Sequence, residues 1–155
     1  SVWRFAFFSK YFKLQPEQKG NLKMNEYEEQ VLECHKAMEV AIAEPYSVDL
    51  LRLRQKLLRE EMNELDIEIN SLIAELEQSG ITQKETRARM MKELADLQYV
   101  LSGMVVALGL PMQEAFRRVH QSNMSKLVNG HPLKREDGKF LKGPNYKPPF
   151  LDDLM

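Results

Sequence analysis

Three carboxylates stand close together in the stretch "LREEMNEL", at Glu60, Glu61 and Glu64. Like charges three or four residues apart cost a helix a few tenths of a kcal/mol per pair. On a helical wheel, Glu61 and Glu64 fall within the apolar stripe of this segment, as does Glu68, whereas Glu60 lies at its edge. The stripe is defined by Leu50, Leu53, Leu57, Leu65 and Leu72.

A charge cluster on a helix ordinarily faces solvent, but these acids point where the leucines point, toward the interior of a helical bundle. A buried carboxylate without a partner either becomes neutral or finds a cation. Arg54 shares the stripe and is one candidate partner. The other candidate is a bound metal ion.

A second pair of acids lies in "KELADLQYVLSGMVVALGL", with Glu93 at the centre of the apolar face and Asp96 at its edge. If the two helices pack antiparallel across the short "QSGIT" turn, the two acid pairs meet. Four carboxylates without a nearby imidazole suit Mg²⁺ or Mn²⁺ better than Zn²⁺ or copper. A di-iron carboxylate bundle would require Glu-x-x-His on two helices, and this chain has none.

Groups that could bind phosphate follow in the last third of the chain. The stretch "HQSNMSKL" places Asn123 and Lys126 three residues apart, and "KREDGKFLKGPNYK" adds Lys142 and Tyr146. Basic residues in a polar tail are usually only solvated. Beside a magnesium site they become candidates for the triphosphate, because Mg²⁺ in proteins commonly keeps positions open for substrate phosphates.

The hydrophobic periodicity predicts four helices and no alternating βα pattern, hence an all-α four-helix bundle. The first helix is expected from Asn25 to Ala43 and the second from a Ser47 cap to Gln78. The third is expected after a Thr82 cap, with Glu85 completing a capping box, and continues to Leu108.

Pro111 opens the predicted fourth helix, which reaches about Lys126. The C-terminal tail beyond it is expected to be irregular, with a short hairpin at Asp137-Gly138. His35 lies on the apolar face of the first helix and is expected to be a hydrogen-bonded core histidine.

Composition limits the function classes. The chain has 155 residues, 29% of them charged, and a net charge of −1, which argues against a bulk nucleic-acid or membrane-surface partner. Cys34 is the only cysteine, so no internal disulfide exists, and a reducing, cytoplasmic location is expected. No run of 18 apolar residues predicts a membrane-spanning helix.

Residues 1–23 differ from the rest, since six of the 13 aromatic residues lie between Trp3 and Phe12. A signal peptide is a poor interpretation because Lys10 and Lys13 interrupt the apolar run. The segment is either upstream sequence outside the ancestral domain, or an aromatic arm that packs on the domain or on a second subunit. The expected domain covers residues 24–155.

The acid motifs resemble the signature of the all-α nucleoside triphosphate pyrophosphohydrolases. This superfamily includes the MazG-like enzymes, the phosphoribosyl-ATP pyrophosphohydrolases and the dimeric dUTPases. Its E-E-x-x-E and E-x-x-D elements are matched by "EEMNE" from Glu60 and "ELAD" from Glu93. Four stretches in order are similar to a MazG-like branch that includes proteins hydrolysing dUTP: "LLRLRQKLLREEMNEL", "KELADLQYVLSGMVVALGL", "VHQSNMSK" and "DGKFLKGPNYKPP".

The resemblance implies roles for individual residues. It implies that Mg²⁺, or Mn²⁺ in its place, is held by Glu61, Glu64, Glu93 and Asp96. Glu60 and Glu61 would be the catalytic acids, with Glu60 holding a further metal ion or orienting the attacking water. The phosphate-binding residues would be Asn123, Lys126, Lys142 and Tyr146.

The implied activity is the hydrolysis of a nucleoside or deoxynucleoside triphosphate to the monophosphate and pyrophosphate, as nucleotide-pool house-cleaning. The resemblance also implies a homodimer or a dimer of dimers, with tails that close over a neighbour's site. Two alternatives stay open at this point. One is a phosphoribosyl-ATP pyrophosphohydrolase, with the same chemistry on another nucleotide. The other is a helical interaction module whose acids no longer bind metal.

Overall fold

The computed structural model describes residues 23–155, which form four α-helices and no β-sheet. The helices are α1 (Glu26–Ala37), α2 (Val48–Ser79), α3 (Lys84–Leu108) and α4 (Met112–Met124), and a 3₁₀ turn follows at Asp152–Leu154. This confirms the predicted all-α class, with the helix number of a four-helix bundle. The two interpretations of residues 1–23, as upstream sequence or as an aromatic arm, concern a segment that lies outside the described part except for Lys23.

The described residues divide into two compact units. The first, Glu26–Gly109, contains α1, α2 and α3. The second consists of Lys23–Asn25 and Leu110–Met155, and contains α4 and the tail.

The long hairpin of α2 and α3 dominates the first unit, and its ends follow from local chemistry. As predicted, the Ser47 side chain caps α2 by accepting a hydrogen bond of 3.1 Å from the Leu50 N–H. Gly80 ends α2 with a φ of 71°, a left-handed conformation that glycine adopts without a Cβ penalty. The two helices then pack antiparallel, with α1 against α3.

The predicted Thr82 cap and its capping box with Glu85 are wrong. The helix α3 begins after Gln83, whose side chain makes no capping bond. Instead, the Glu75 carboxylate from α2 accepts a hydrogen bond of 2.7 Å from the Gln83 N–H and another from the Thr86 hydroxyl. A carboxylate at a helix N-terminus also suits the helix dipole, so a tertiary contact replaces the local cap.

The first helix is shorter than predicted, ending at Ala37 rather than Ala43. Beyond it the backbone turns through left-handed conformations at Glu39 and Ala43, with φ of 57° and 46°. The N–H groups of Ala43 and Glu44 then donate to carbonyl groups of Val106 and Ala107 at the end of α3, at 2.9 and 2.8 Å. These hydrogen bonds satisfy the backbone N–H groups of Ala43 and Glu44, which lie outside any helix.

The core of the first unit lies where α1, α2 and α3 meet, and it includes Val31, Leu50, Val100 and Val106. His35 is buried here as predicted, and its Nδ1 lies 2.8 Å from the Ala41 carbonyl oxygen. Leu53, which was expected in the apolar stripe of α2, is exposed instead.

The same core contains Arg54, a residue that is only 3% exposed. A Cβ built on Gly103 would lie 2.9 Å from Arg54 Nη1 and 3.5 Å from His35 Nε2. The missing side chain of Gly103 therefore makes the room that these two polar groups use.

The second unit begins with Pro111, which precedes the first residue of α4 as predicted, and α4 ends two residues earlier than Lys126. In the tail, a bridge between Lys134 and Phe140 closes the predicted turn at Asp137-Gly138, where Gly138 has a φ of 83°. A second, smaller turn at Asn129-Gly130 joins Val128 to His131. Sequence reasoning missed it, although Asn-Gly is a strong hairpin signal.

The end of the tail is tied back to α4. The Arg118 guanidinium donates to the Phe150 carbonyl oxygen at 3.0 Å and pairs with the Asp153 carboxylate. Among residues 23–155, no single helix has both the length and the apolar character to cross a membrane; α3 and α4 taken together meet these two criteria alone.

Candidate metal centre

Four acids from α2 and α3 converge in the first unit. Glu61, Glu64, Glu93 and Asp96 each offer one carboxylate oxygen, and these oxygens all lie within 4.8 Å of one another. The antiparallel packing brings the pairs together because both stand on the faces through which α2 and α3 contact each other. Glu61 is 6% exposed and the other three are half-buried.

The donor set fits a hard divalent cation. Three of the four acids have a buried oxygen without a hydrogen-bond partner, namely Glu61 Oε2, Glu93 Oε2 and Asp96 Oδ2. Unsatisfied buried carboxylate oxygens are costly, and oxygen ligands of this kind are those that Mg²⁺, Mn²⁺ and Ca²⁺ prefer. The cluster could therefore hold a metal ion.

Crowding of like charges acts most strongly on Glu61. Burial raises its pKa above the usual 4.5, and the neighbouring carboxylates of Glu64, Asp96 and Glu93 raise it further. Lys92 acts in the opposite direction. A divalent ion would reverse this balance, because a nearby positive charge favours the ionised carboxylates.

Lys92 is a component of the cluster that sequence reasoning missed. Its Nζ donates a hydrogen bond of 3.2 Å to Glu93 Oε1 and lies 2.8 Å from Asp96 Oδ2, off the direction of a hydrogen bond. The contacts with Asp96 and then Glu93 raise the pKa of Lys92, so it stays charged. The available signal was its spacing of four residues before Asp96, which places both side chains on one helix face.

The other acidic and basic residues of α2 lie outside the cluster. Glu60 is exposed, with a carboxylate oxygen 3.7 Å from Lys56 Nζ. Glu68 points inward as predicted but pairs with Arg89 at 3.1 Å. Arg54 was a candidate partner for the acids, and the structure places it beside Gly103 instead.

The residues predicted to bind phosphate all belong to the second unit. Lys126 Nζ donates a hydrogen bond of 2.9 Å to Asn123 Oδ1. Both side chains line a cavity of about 200 Å³ whose other walls are apolar residues of the tail. These walls are Leu127, Pro132, Leu133, Phe140 and Leu141.

Lys142 and Tyr146 form a separate pair, with Lys142 Nζ 4.6 Å from the centroid of the Tyr146 ring. Tyr146 also lines a cavity of about 480 Å³ beside Ser125 and Lys147. Such a cation–π contact is weak at an exposed site. The two pairs therefore place amide, ammonium and phenol groups along one stretch of the second unit.

The fold and the four-carboxylate cluster define the class of protein. It is a helical protein with a candidate site for a hard cation between two antiparallel helices. Residues 24–123 match the model of the family described as phosphoribosyl-ATP pyrophosphohydrolase, and the chain belongs to this family. This confirms the resemblance to the all-α pyrophosphohydrolase superfamily, and it supports a hydrolase acting on a phosphoanhydride.

The matched region contains the four clustered acids and Asn123, and it ends before Lys126, Lys142 and Tyr146. It begins at Met24, where the helical pattern of the sequence begins. A search of curated proteins gives no match.

Proposed function

We propose that the protein hydrolyses a nucleoside or deoxynucleoside triphosphate to the monophosphate and pyrophosphate, in a reaction that requires Mg²⁺. Water adds across the phosphoanhydride bond that joins the nucleotide to the departing pyrophosphate. The observation that carries the proposal is the cluster of four carboxylates, three of which have a buried oxygen that accepts no hydrogen bond from the residues that the structure describes. A role in cleaning the cytoplasmic nucleotide pool, with dUTP as a candidate substrate, follows from the MazG-like character of the sequence.

In this proposal Glu61, Glu64, Glu93 and Asp96 hold the metal. Bound Mg²⁺ would supply Lewis-acid polarisation of phosphoryl oxygens and a charge that orients the substrate. Mn²⁺ offers similar chemistry because it also prefers oxygen ligands. The rigid α2–α3 hairpin keeps the four acids in place, since each is on a helix rather than a loop.

Glu60 has a different part in the proposal. Its carboxylate is exposed and next in sequence to a clustered acid, and the one salt bridge it forms with a described residue is the long Lys56 contact of 3.7 Å. An exposed pair of this kind is weak and easily exchanged. Glu60 is therefore available to accept a proton from the attacking water or to hold a further metal ion.

The substrate phosphates would be bound by Asn123 and Lys126, with a contribution from Lys142 and Tyr146 of the tail. Lys126 acts as a point charge for phosphate oxygens, and the Asn123 amide supplies a neutral donor. The hydrogen bond between them, at 2.9 Å, places both groups at one cavity mouth.

Phosphoribosyl-ATP is the second candidate substrate, and the family match over residues 24–123 favours it. The chemistry is the same on either nucleotide.

A panel of nucleoside triphosphates, dUTP and phosphoribosyl-ATP, each with Mg²⁺, separates the two by release of pyrophosphate. We expect Mg²⁺-dependent release, fastest with a deoxynucleoside triphosphate. Release from phosphoribosyl-ATP alone would replace the substrate proposal, and no release from any member would favour the non-catalytic interaction module.

We also propose that the protein assembles with further copies of itself as a dimer or a dimer of dimers. Apolar residues on α2 recur at alternating intervals of four and three residues, the spacing of a helix–helix seam. They are Leu58, Met62, Leu65, Ile69, Leu72 and Leu76. Met62 and Leu76 are exposed in the single chain, as is Leu94 on α3. Light scattering should give a dimer or tetramer mass, and a monomer at micromolar concentration would contradict this assembly.

A further inference from the structure

Lys92 covers the solvent side of the candidate metal centre. Its side chain is 51% exposed, whereas those of its partners Glu93 and Asp96 are 12% and 19% exposed. The ammonium thus lies between the carboxylates and the solvent, the direction from which a substrate must come.

In the described part of the chain, the salt bridges give the four clustered acids no other cationic partner. The neighbouring cations are committed to acids outside the cluster, since Lys56 pairs with Glu60 and Arg89 with Glu68. One ammonium therefore faces four carboxylates. It leaves three buried oxygens without a hydrogen bond, so it satisfies the cluster only in part.

A divalent cation needs the carboxylate oxygens that Lys92 now contacts, because Mg²⁺ is held through such oxygens. The ammonium group of Lys92 is attached to the backbone through a flexible four-carbon stem with several rotatable bonds. The Lys92 side chain is itself half-exposed, so water can take the place of its carboxylate partners. The ammonium can consequently leave Glu93 and Asp96 without disturbing the helix that carries it.

We propose that Lys92 is a substrate-positioning residue that changes partners: it binds Glu93 and Asp96 in the metal-free protein, and it binds phosphate oxygens of the nucleotide once a divalent cation holds those carboxylates. This inference rests on the proposed function. A phosphate group that reached the metal from the solvent would have to pass the exposed Lys92 side chain, which could then donate to its oxygens. Ammonium-to-phosphate hydrogen bonds are among the stronger ones in proteins.

The first half of the proposal is tested with Mg²⁺ alone. Thermal unfolding is followed while Mg²⁺ is added to the parent and to Lys92→Met, which keeps a long apolar stem and removes the charge. A ligand that binds only the folded state raises its melting temperature. Without the competing ammonium, Lys92→Met should reach half of its stabilisation at a Mg²⁺ concentration about threefold to tenfold lower.

Lys84→Met is the matched control, because it removes an exposed lysine of the same helix that forms no salt bridge with the four acids in the described part of the chain. Its Mg²⁺ midpoint should change less than that of Lys92→Met. Equal shifts in the two variants would show a general effect of net charge and would overturn the proposal, as would an unchanged midpoint in Lys92→Met.

The second half is tested by steady-state kinetics at saturating Mg²⁺, with the nucleotide that the parent hydrolyses best. Lys92→Met should raise KM about tenfold, the loss expected for one charged hydrogen bond, and change kcat much less. Lys92→Arg should keep KM near the parental value, because it restores a cation. An unchanged KM in Lys92→Met would overturn the proposal.

Failure of this inference is distinguishable from failure of the proposed function. A parent that neither responds to Mg²⁺ nor releases pyrophosphate contradicts the metal centre itself. A parent that does both, beside a Lys92→Met variant with the same Mg²⁺ midpoint or the same KM, contradicts only the role of Lys92.

Discussion

Glu61 Oε2 and Asp96 Oδ2 are buried carboxylate oxygens on two facing helices, and neither accepts a hydrogen bond from residues 23–155. Each acid also contributes an oxygen to the four-carboxylate cluster. Two such groups on α2 and α3 repel each other across the helix interface. The fold brings them together nonetheless, through an antiparallel hairpin that is capped at the start of α2 by Ser47 and at its turn by Gly80 and Glu75. A site that holds like charges at a cost to stability is typical of a functional centre.

The first prediction concerns Glu61→Gln, which keeps the shape of the side chain and removes one negative charge. Because burial and neighbouring acids raise the pKa of Glu61, the metal-free variant should be as stable as the parent or more stable. The gain should be about 0–2 kcal/mol, the scale of relieved active-site strain. The same variant should lose Mg²⁺-induced stabilisation and nearly all hydrolysis. Paired melting curves and a pyrophosphate assay measure both effects.

Glu68→Gln is the control for this experiment. Glu68 is an inward-facing acid of the same helix, but it pairs with Arg89 at 3.1 Å rather than joining the cluster. Its replacement should leave the Mg²⁺ response in place. A metal-free Glu61→Gln protein that is clearly destabilised and still hydrolyses nucleotide would show that Glu61 serves the fold and not the metal.

The second prediction concerns the pH dependence of stability. Burial lowers the pKa of His35 below the usual 6.5, and Arg54 lowers it further, while the hydrogen bond to the Ala41 carbonyl opposes them. Below about pH 6.5 the unfolded chain therefore binds a proton that the folded chain excludes, so stability falls as pH falls. His35→Asn should reduce this loss, because the Asn amide can donate to the Ala41 carbonyl oxygen and does not titrate.

Urea unfolding at pH 7 and pH 5, with a chelator present, gives the required free energies. The parent should lose more stability than His35→Asn between the two values. Equal losses would mean that His35 does not couple folding to pH in this window.

The sequence predicted α2, α3 and their acids well because both helices are long and periodic. In such helices the face of each residue follows from counting. Glu61 and Glu93 stood among leucines in the sequence, and a short turn left antiparallel packing as the simple way to join the helices. The four acids accordingly meet in the structure where the wheel placed them.

Elements that depend on tertiary contacts were not predictable in this way. The helix α1 ends at Ala37 because the following backbone bonds to carbonyl groups of α3, a partner more than 60 residues away. The cap of α3 comes from Glu75 on α2 and not from a local Thr82. Local patterns contain no information on such distant partners, so the predicted boundaries failed there while the helices themselves were correct.

The third prediction concerns Lys126→Ala. Lys126 is proposed to hold phosphate oxygens, and its present partner is Asn123 Oδ1 at 2.9 Å. The variant should weaken nucleotide binding or turnover about tenfold or more, the loss of a charged hydrogen bond. Its Mg²⁺-induced stabilisation should remain, because the four acids are untouched. Lys134→Ala is the control, since that lysine packs on the Phe140 ring at 4.9 Å. Unchanged affinity and rate in Lys126→Ala would remove the phosphate assignment.

The fourth prediction concerns the N-terminal extension. The family match begins at residue 24, and each of the proposed site residues lies beyond it. Deletion of residues 1–23 should therefore leave the specific activity within about threefold of the parent. A pyrophosphate assay at matched protein concentration, with light scattering to confirm the same assembly, measures this. Lost activity in a folded protein with the same number of subunits would show that the extension belongs to the active site.

The last prediction concerns Gly143, which lies where the tail packs against the residues after α4. Its N–H donates a hydrogen bond of 3.1 Å to the Lys126 carbonyl oxygen. A Cβ at this position would lie 2.8 Å from Val128 Cγ2 and 2.9 Å from the same Lys126 oxygen. One of these contacts is with backbone, which cannot move aside as the end of a side chain can. Gly143→Ala should therefore displace the tail, at a cost of about 1–3 kcal/mol for overpacking.

Displacement of the tail should be visible as faster amide hydrogen exchange at Tyr146 and Lys147. The Tyr146 N–H now donates to the Gly143 carbonyl oxygen at 3.1 Å, and the Lys147 N–H donates to Ser125 Oγ at 3.0 Å. Because Lys126 would lose its backbone partner in Gly143, nucleotide affinity should also fall while the Mg²⁺ response of the acid cluster remains. Glu136→Ala, a change at an exposed tail position, should alter neither exchange nor affinity. Parental exchange rates in Gly143→Ala would show that the tail accommodates the added methyl group, and that Gly143 does not hold the segment around Lys126 in place.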